Sequence, residues 1–204
     1  MKTLIVAATR FEIQDTIPLL EEKQIPFLIT GVGMTATAYS LGKALAKDDN
    51  HFDIVINVGI AGAIDRTLNL GEVVDVQSDC FYELGAEDGN DFLPIEELGF
   101  AKGNFVSTIS QSQANLMKVN AITVNKVHGN QLSIEKIQQR LPDTHIETME
   151  GAAVFFVCEQ ESIACIQIRS ISNYVERRNR SAWQIDLAIE NLNTWLRNYV
   201  LANY

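Results

Sequence analysis

The feature that most constrains the fold of this chain is a series of short, uninterrupted aliphatic runs separated by stretches of helical periodicity. The runs occupy residues 4–8, 27–29, 54–56 and 163–168. Runs of this length and β-branched content are typical of strands buried on both faces of a sheet. Helical patterns cover residues 11–22, 34–47 and 149–161. The alternation of the two patterns predicts an α/β fold.

Three other segments complete this pattern. Residues 72–76 follow turn residues and predict a further strand. Apolar residues recur at helical spacing up to Tyr199, which predicts a long C-terminal helix with Ser181 as its N-cap. Residues 85–103 are rich in Gly, Asp and Glu without a period and predict a loop that could line or cover a site. Because no linker or repeat interrupts the chain, we expect a single domain over residues 1–204.

The charge balance and the sparse cysteines and histidines argue against several classes of function. Sixteen Lys and Arg against 26 Asp and Glu give a net charge of −10, which repels nucleic acids and anionic membrane surfaces. No apolar stretch approaches the ~20 residues of a membrane span, and the start of the chain is unlike a signal peptide. Three cysteines without C-x-x-C spacing and three scattered histidines disfavour disulfides and a metal site. We expect a cytoplasmic protein without nucleic-acid, membrane or metal partners.

Two glycine-rich segments follow predicted strands. G-V-G-M-T-A at residues 31–36 fits a relaxed dinucleotide-binding pattern, but the next strand runs into Asn57 and not into an acid that would hold a ribose. A tight strand-to-helix turn is therefore the favoured interpretation. In N-V-G-I-A-G-A at residues 57–63, small side chains would let a ligand approach the backbone amides. A crowded turn without a ligand fits that segment equally well.

Four segments together carry a family resemblance. They are A-A-T-R-F-E at residues 7–12, the second glycine-rich segment, T-M-E-G-A-A at residues 148–153 and I-R-S-I-S-N at residues 168–173. In this order and spacing the chain resembles the nucleoside phosphorylase superfamily over nearly its whole length. The resemblance implies a three-layer α/β sandwich with a central mixed β-sheet. It also implies a homodimer, a small-molecule purine nucleoside as substrate and no cofactor.

The resemblance implies roles for two acidic segments. Glu12 corresponds to the acid that activates the attacking water in hydrolases of the superfamily. Arg169 corresponds to an arginine near that water, where it could orient Glu12. Met149 and Glu150 correspond to the pair that binds the ribose, because a carboxylate can accept from two hydroxyls and stabilise a cationic sugar. An ordinary ion pair between Glu12 and Arg169, and a helix-terminal acid at Glu150, are the alternatives.

Asn173 indicates which purine is released. Superfamily members that split adenine nucleosides carry aspartate at this position, which can protonate N7, whereas an amide only exchanges hydrogen bonds. Hypoxanthine can spread leaving-group charge onto its 6-oxo group, so a 6-oxopurine is the expected base. The resemblance also places Ser172, Ala61, Gly62 and Val127 beside the substrate.

The nucleophile is inferred from two positions in the second glycine-rich segment. Phosphorylases of the superfamily carry arginine at the position of Asn57 and serine at that of Ile60, and both serve phosphate. This chain has neither, and its net charge is −10, so a bound phosphate dianion would be poorly compensated. Water is the expected nucleophile.

The finer resemblance is to one branch of these hydrolases. T-V-N-K-V-H-G-N at residues 123–130, together with M-E-G-A-A and S-N-Y-V, is similar to futalosine hydrolases. That family cleaves futalosine to hypoxanthine and dehypoxanthine futalosine in menaquinone biosynthesis. A purine nucleoside phosphorylase, a methylthioadenosine/S-adenosylhomocysteine nucleosidase and a nucleoside-binding sensor are the alternatives, and the intact Glu12, Glu150 and Arg169 disfavour the sensor. Four aromatic residues are candidates for contacting an aromatic carboxylate at the far end of the substrate, with core packing as the alternative: Phe81, Tyr82, Phe92 and Phe105.

Overall fold

The computed structural model describes residues 1–47, 51–89, 91–109 and 115–204. In the order of the chain, the strands in these ranges are β1 (Thr3–Ala7), β2 (Phe27–Ile29), β3 (Ile54–Ala63), β4 (Val73–Phe81), β5 (Gly85–Asp88), β6 (Asp91–Pro94), β7 (Asn104–Val106), β8 (Met117–Thr123), β9 (Ile146–Thr148) and β10 (Ala164–Tyr174). The helices are α1 (Arg10–Ile13), α2 (Ile17–Glu22), α3 (Met34–Leu45), α4 (Gln131–Arg140), α5 (Gly151–Gln160) and α6 (Ile185–Asn203). A 3-10 turn at Arg180–Ala182 precedes α6.

Eight strands form one mixed sheet. Their order is β10-β4-β8-β9-β3-β1-β2, with β7 paired to β4. Because β10 also pairs with β3 along its length, five of the strands close into a ring, and β1 and β2 extend from β3. β5 and β6 form a separate two-stranded hairpin.

Helices cover both faces of this sheet. On one face α3 packs against α5, with Leu41 in the core cluster beneath them. On the other face α1 packs against α6, with Ile13 and Leu192 in a second cluster. The neighbouring strand residues Ile5 and Val6 belong to different clusters, as expected for a strand buried on both faces. The predicted three-layer α/β architecture around a mixed sheet is confirmed.

Several predicted elements differ in detail. The helix expected over residues 11–22 is divided into α1 and α2, because Pro18 has no N–H for a helical hydrogen bond to the preceding turn. The loop predicted over residues 85–103 contains the β5–β6 hairpin, while residue 90 within it lies outside the described residues. Ser181 does not cap the last helix. Its hydroxyl donates to Asn179 within the 3-10 turn, and the N-cap of α6 is Gln184.

The path of β3 creates the opening in which the site lies. β1 runs parallel to β3 only from Thr3, opposite Ile54, to Val6, opposite Asn57. Beyond that point β3 continues and pairs with β9 through Gly62. The carboxyl end of β1 therefore opens beside the second half of β3, which is where ligands collect in α/β sheets. In the part of the chain that the structure describes, no helix combines the length and apolarity needed to cross a membrane.

Candidate active site

A cavity of about 590 Å³ lies at this edge of the sheet. Its volume is within the range of roughly 300–1,000 Å³ typical of small-molecule sites. Eight of the residues predicted from the sequence to contact substrate line it: Glu12, Ala61, Gly62, Val127, Met149, Glu150, Ser172 and Asn173. We call the part around Glu12 and Glu150 the acidic end, and the part around Ser172 and Asn173 the amide end.

Glu12 is held at the acidic end by donors from two elements. It is buried in the first turn of α1, where its Oε2 accepts hydrogen bonds from the backbone N–H and the hydroxyl of Thr9, both at 2.9 Å. Its Oε1 accepts from the N–H of Ile60 on β3 at 3.2 Å. The sequence T-x-x-E is a helix-capping pattern, in which the acid folds back onto the residue that starts the helix. The carboxylate is thereby fixed at the cavity wall.

Arg169 lies behind the acidic end and does not line the cavity. It is fully buried on β10, and its guanidinium donates to the Asn57 side chain and to the carbonyl of Ile168. A side chain at Gly59 would place its Cβ 2.8 Å from Glu12 Oε1 and 3.2 Å from Arg169 Nη1, so glycine permits both groups to approach β3. Burial lowers the pKa of Arg169, and the charges of Glu150, Glu12 and Asp79 oppose this effect.

The alternative of an ordinary Glu12–Arg169 ion pair does not hold. Among the described residues no nitrogen of Arg169 lies within 4.0 Å of a carboxylate oxygen. The guanidinium instead supplies positive charge close to both carboxylates of the acidic end. It therefore acts on them through space.

Glu150 is the N-cap of α5, and its side chain connects the start of this helix to the turn before α3. Its Oε1 accepts the backbone N–H of Gly33 at 2.8 Å. Gly31 and Gly33 have φ angles of +88° and +92°, so the first glycine-rich segment forms a tight strand-to-helix turn that glycine permits. Burial raises the pKa of Glu150, whereas the Gly33 bond and the charge of Arg169 lower it. One carboxylate oxygen therefore fixes the side chain to this turn.

A buried polar network supports α5 from beneath. Thr123 accepts the N–H of Ala152 at 2.8 Å and donates to Asp79 at 2.9 Å. A Cβ at Gly151 would lie 2.0 Å from the Gln167 side chain and 2.2 Å from Asp79, so a larger residue at the first position of the helix would displace this network. Desolvation raises the pKa of Asp79 to about 6, while hydrogen bonds from Gln167 and Thr123 oppose it. The network sets where α5 begins, and so where Glu150 lies.

A β-bulge forms the amide end. Ile171 of β10 pairs with Ala61, but the next pair joins Asn173 to Gly62, so Ser172 is the extra residue. Bulges redirect side chains and are frequent next to active sites. The Ser172 hydroxyl donates to Asn173 Oδ1 at 2.8 Å, and Asn173 Nδ2 donates to the carbonyl of Tyr174 at 3.0 Å. The second Nδ2 hydrogen and the second Oδ1 lone pair are left for a ligand.

A histidine–glutamate pair adjoins the amide end. Glu147 on β9 accepts from the backbone N–H of His128 at 3.0 Å, and its Oε2 lies 2.7 Å from His128 Nδ1. The two side chains are only 7% and 4% exposed, and both residues line the cavity. No local sequence pattern identifies the partner of His128, which lies 19 residues later in the chain. The pair holds Val127 and Gly129 at the wall.

The relationship to known proteins follows from a family comparison. A family model described as the phosphorylase superfamily matches residues 16–200. The chain belongs to the phosphorylase superfamily. Two curated members are similar across most of the chain. The futalosine hydrolase of Acidothermus cellulolyticus is 33% identical in an alignment of 175 residues that covers 81% of this chain and 70% of that protein. The futalosine hydrolase of Streptomyces coelicolor is 29% identical, over 81% of this chain and 74% of that protein.

Solved structures of the superfamily share the fold. Futalosine hydrolase of Helicobacter pylori superposes with a TM-score of 0.82 at 14% identity, covering 100% of this chain and 98% of that one. A methylthioadenosine/S-adenosylhomocysteine nucleosidase from Neisseria meningitidis, in complex with methylthio-immucillin-A, gives 0.78 at 16% identity, covering 99% and 100%. At these identities the likeness establishes the three-dimensional framework.

The structure also shows which candidate residues lie elsewhere. None of the four aromatic residues suggested for the far end of the substrate is among the described residues that line the cavity. Phe81 and Phe105 pack edge to face at 5.6 Å, and Tyr82 and Phe92 lie against the guanidinium of Arg140. The core-packing alternative describes Phe105 best, because it is fully buried.

Other cavity residues of this superfamily member were not identified from its sequence. Thr9 could have been found, since T-x-x-E is a recognised capping pattern. Glu147 is separated from its partner by a helix, and Arg178 and Trp183 lie in an aperiodic segment between β10 and α6. Periodicity carries no signal for such residues.

Proposed function

We propose that this chain is an N-ribosyl hydrolase that cleaves futalosine to hypoxanthine and dehypoxanthine futalosine. One observation carries the proposal: Glu12, Glu150 and Asn173, from three distant parts of the sequence, line the same cavity. The similarity to two futalosine hydrolases over 81% of the chain supports the choice of substrate. The place of the reaction in menaquinone biosynthesis, a homodimeric assembly and a cytoplasmic location belong to the same proposal.

The acidic end supplies the hydrolytic chemistry. Glu12 accepts a proton from a water molecule whose oxygen bonds to C1′ of the ribose as the C1′–N9 bond breaks. The free oxygen of Glu150 accepts from the ribose hydroxyls, and its charge favours the cationic sugar of the transition state. The positive charge of the buried Arg169 offsets the repulsion between the carboxylates of Glu12 and Glu150.

The amide end receives the leaving base. The electron pair of the broken bond passes to the purine, where charge spreads toward N7 and the 6-oxo group. Asn173 donates its remaining Nδ2 hydrogen to that charge, and the proton taken by Glu12 ultimately returns to the base. Riboside and water are thereby converted into free base and free sugar hydroxyl, which balances the reaction.

The contacts of two residues support water over phosphate. Asn57, at the position of the phosphorylase arginine, is buried and accepts from Arg169. Ile60, at the position of the serine, offers its backbone N–H to Glu12. The Ile60 position therefore serves the carboxylate that would activate water, and neither position adds a cation for a phosphate.

The test measures free base released from futalosine, inosine and methylthioadenosine, each with and without inorganic phosphate. We expect hypoxanthine release from futalosine at a rate independent of phosphate. A requirement for phosphate would establish a phosphorylase, and preferential release of adenine from methylthioadenosine would establish the nucleosidase alternative. Ligand binding without base release from any riboside would establish a sensor and overturn the proposal.

A further inference from the structure

Gly62 lies between two polar side chains that belong to different strands. On β3 it pairs with Glu147 of β9 on one side and with Asn173 of β10 on the other. A Cβ at Gly62 would lie 3.3 Å from Asn173 Nδ2 and 3.5 Å from Glu147 Cγ. Residues in direct register project their side chains from the same face of a sheet. The two polar side chains therefore flank the space above Gly62, and all three residues line the cavity.

The contacts of Asn173 leave room for two kinds of purine. Its hydrogen bonds to Ser172 and Tyr174 leave one Nδ2 hydrogen and one Oδ1 lone pair for a ligand. The hydrogen can bind a 6-oxo group and the lone pair can bind a 6-amino group, so this amide can hold either base. Selection between the two bases in binding requires a neighbouring group that only donates or only accepts.

The carboxylate of Glu147 is a neighbouring group that only accepts. Because a carboxylate carries no hydrogen, His128 Nδ1 is the donor in the 2.7 Å contact with Glu147 Oε2. The backbone N–H of His128 donates to Glu147 Oε1 at 3.0 Å. No other donor among the described residues binds Oε1, which keeps a free lone pair. One acceptor position of this carboxylate is therefore left for a ligand.

The position of this acceptor is fixed by its surroundings. The His128 ring packs edge to face on Tyr82, with 5.5 Å between the ring centres. The side chains of Glu147 and His128 are 4% and 7% exposed. A buried carboxylate is costly unless several donors bind it, and an N–H group of a ligand adds a further donor. The arrangement therefore suits a ligand N–H placed beside Asn173.

The two kinds of purine differ at N1, the ring atom next to position 6. In hypoxanthine N1 carries a hydrogen and donates, whereas in adenine N1 has a lone pair and accepts. When Asn173 binds N7 or the group at position 6, N1 is the next polar atom along the same edge of the base. A carboxylate beside this edge attracts the N1–H of a 6-oxopurine and repels the N1 lone pair of a 6-aminopurine.

We propose that Glu147 selects a 6-oxopurine through a hydrogen bond from the N1–H of the base to Glu147 Oε1. His128 is a positioning residue that holds the carboxylate in place. This inference rests on the proposed function and deepens it, because it assigns the choice of base in binding to a residue other than Asn173.

The experiment measures the dissociation constants of three free bases by titration calorimetry in the wild type and in Glu147→Ala. Hypoxanthine carries the N1–H, 1-methylhypoxanthine keeps the 6-oxo group without it, and adenine has neither. We expect the wild type to bind hypoxanthine most tightly. Glu147→Ala should reduce this preference over both other bases by about 10-fold, the lower end for a charge-assisted hydrogen bond, because water fills the vacated space. A preference that is absent in the wild type, or unchanged in Glu147→Ala, would overturn the role of Glu147.

Two further variants separate base selection from support of the cavity wall. Glu147→Gln retains an acceptor, but its amide can also donate to adenine, so the preference for hypoxanthine should fall several-fold with little loss of stability. Glu83 accepts the backbone N–H of Asn125 at 2.9 Å, in the same segment as His128, but is not among the residues that line the cavity. Glu83→Ala should leave the preference within about twofold. An equal fall in Glu83→Ala and Glu147→Ala would assign the effect to the wall and overturn the proposal.

Failure of this inference is distinct from failure of the proposed function. If the wild type releases hypoxanthine from futalosine and Glu147→Ala keeps the preference for hypoxanthine, only the role of Glu147 fails. If no riboside releases base while the preference depends on Glu147, the proposed function fails and the role of Glu147 in binding the base stands.

Discussion

The two ends of the cavity are constructed differently. At the acidic end, Glu12 and Glu150 come from helices about 140 residues apart in the chain, and are held by backbone amides of β3 and of the turn before α3. At the amide end, Asn173 is held by its two chain neighbours, Ser172 and Tyr174. The first arrangement is charged and depends on the whole fold, whereas the second is neutral and local.

This difference separates bond cleavage from base selection. The charged groups of the acidic end act on the ribose and on water, which every riboside substrate shares. The neutral amide acts on the purine, which differs between substrates. Changes at the acidic end should therefore affect all substrates together, and changes at the amide end should alter the preference among them.

The largest effect is expected for Glu12→Gln, which tests the acidic end. An amide cannot take the proton from water, so kcat should fall by roughly 10²–10⁴-fold, to a similar degree with futalosine and inosine. The glutamine NH₂ also faces a backbone donor, either that of Thr9 or that of Ile60, which should cost about 1–3 kcal/mol of stability. Steady-state release of hypoxanthine measures the first effect, and thermal unfolding verifies that the variant folds. Unchanged turnover would remove Glu12 from the mechanism.

Substitution of Asn173 tests the amide end. Asn173→Ala should lower kcat for 6-oxopurine ribosides by about 10²-fold, as for the loss of one preorganised donor. Asn173→Asp should shift the ratio of kcat/KM toward 6-aminopurine ribosides, because a carboxyl group can protonate N7. Paired assays with inosine and adenosine measure the ratio. Equal changes for both bases would show that the two ends are not separable.

The pH dependence of stability tests the buried network beneath the acidic end. The pKa of Asp79 is raised from 3.8 to about 6, so the folded state holds this proton more tightly than the unfolded chain. Stability should therefore decrease as pH rises from about 4 to about 6, by about 3 kcal/mol from this group. In Asp79→Asn this contribution should disappear, because asparagine does not titrate. The substitution should be accommodated, because Gln167 can turn its unpaired Oε1 toward the new amide. Denaturant unfolding at several pH values measures the slope, and the same slope in both proteins would exclude Asp79 as its source.

The smallest effect on activity is expected at the wall beside the amide end. Glu147→Ala leaves the backbone N–H of His128 without its acceptor, which should cost about 1–3 kcal/mol of stability. The wall formed by residues 127–129 should loosen, and KM should rise several-fold with little change in kcat. Glu147→Gln retains an acceptor and is the matched control, with smaller changes in both quantities. A large fall in kcat in either variant would give the pair a direct role in catalysis.

Much of the site could be predicted from residue types and their order. Glu12, Glu150 and Asn173 stand in short patterns whose order along the chain resembles one superfamily, and all three line the cavity. Arg169 was expected to orient Glu12, and the structure places it behind the cavity wall, close to Gly59. Its position depends on Asn57 and Gly59 of another strand, which no local pattern of β10 encodes. The predicted roles of these residues await the experiments above.

The fold was predictable where hydrophobic runs are long enough to show a period. β7 and β9 have three residues each, and α4 carries only two buried side chains, Ile134 and Ile137, so none of them gave a clear pattern. The strands β5 and β6 contain only exposed and half-buried residues and show no alternation of buried and exposed positions. These elements are specified by their partners more than by their own composition.

By itself, the sequence determined the layered α/β architecture and the chemical groups available for catalysis, because burial on two faces requires aliphatic runs and each reaction step requires a particular side chain. Tertiary structure alone decided how those groups are combined. The bulge at Ser172, the return of the chain at Gln184 and the pairing of His128 with Glu147 join residues through hydrogen bonds across strands and loops. Such bonds depend on register and on the path of the chain in space, which a linear pattern does not contain.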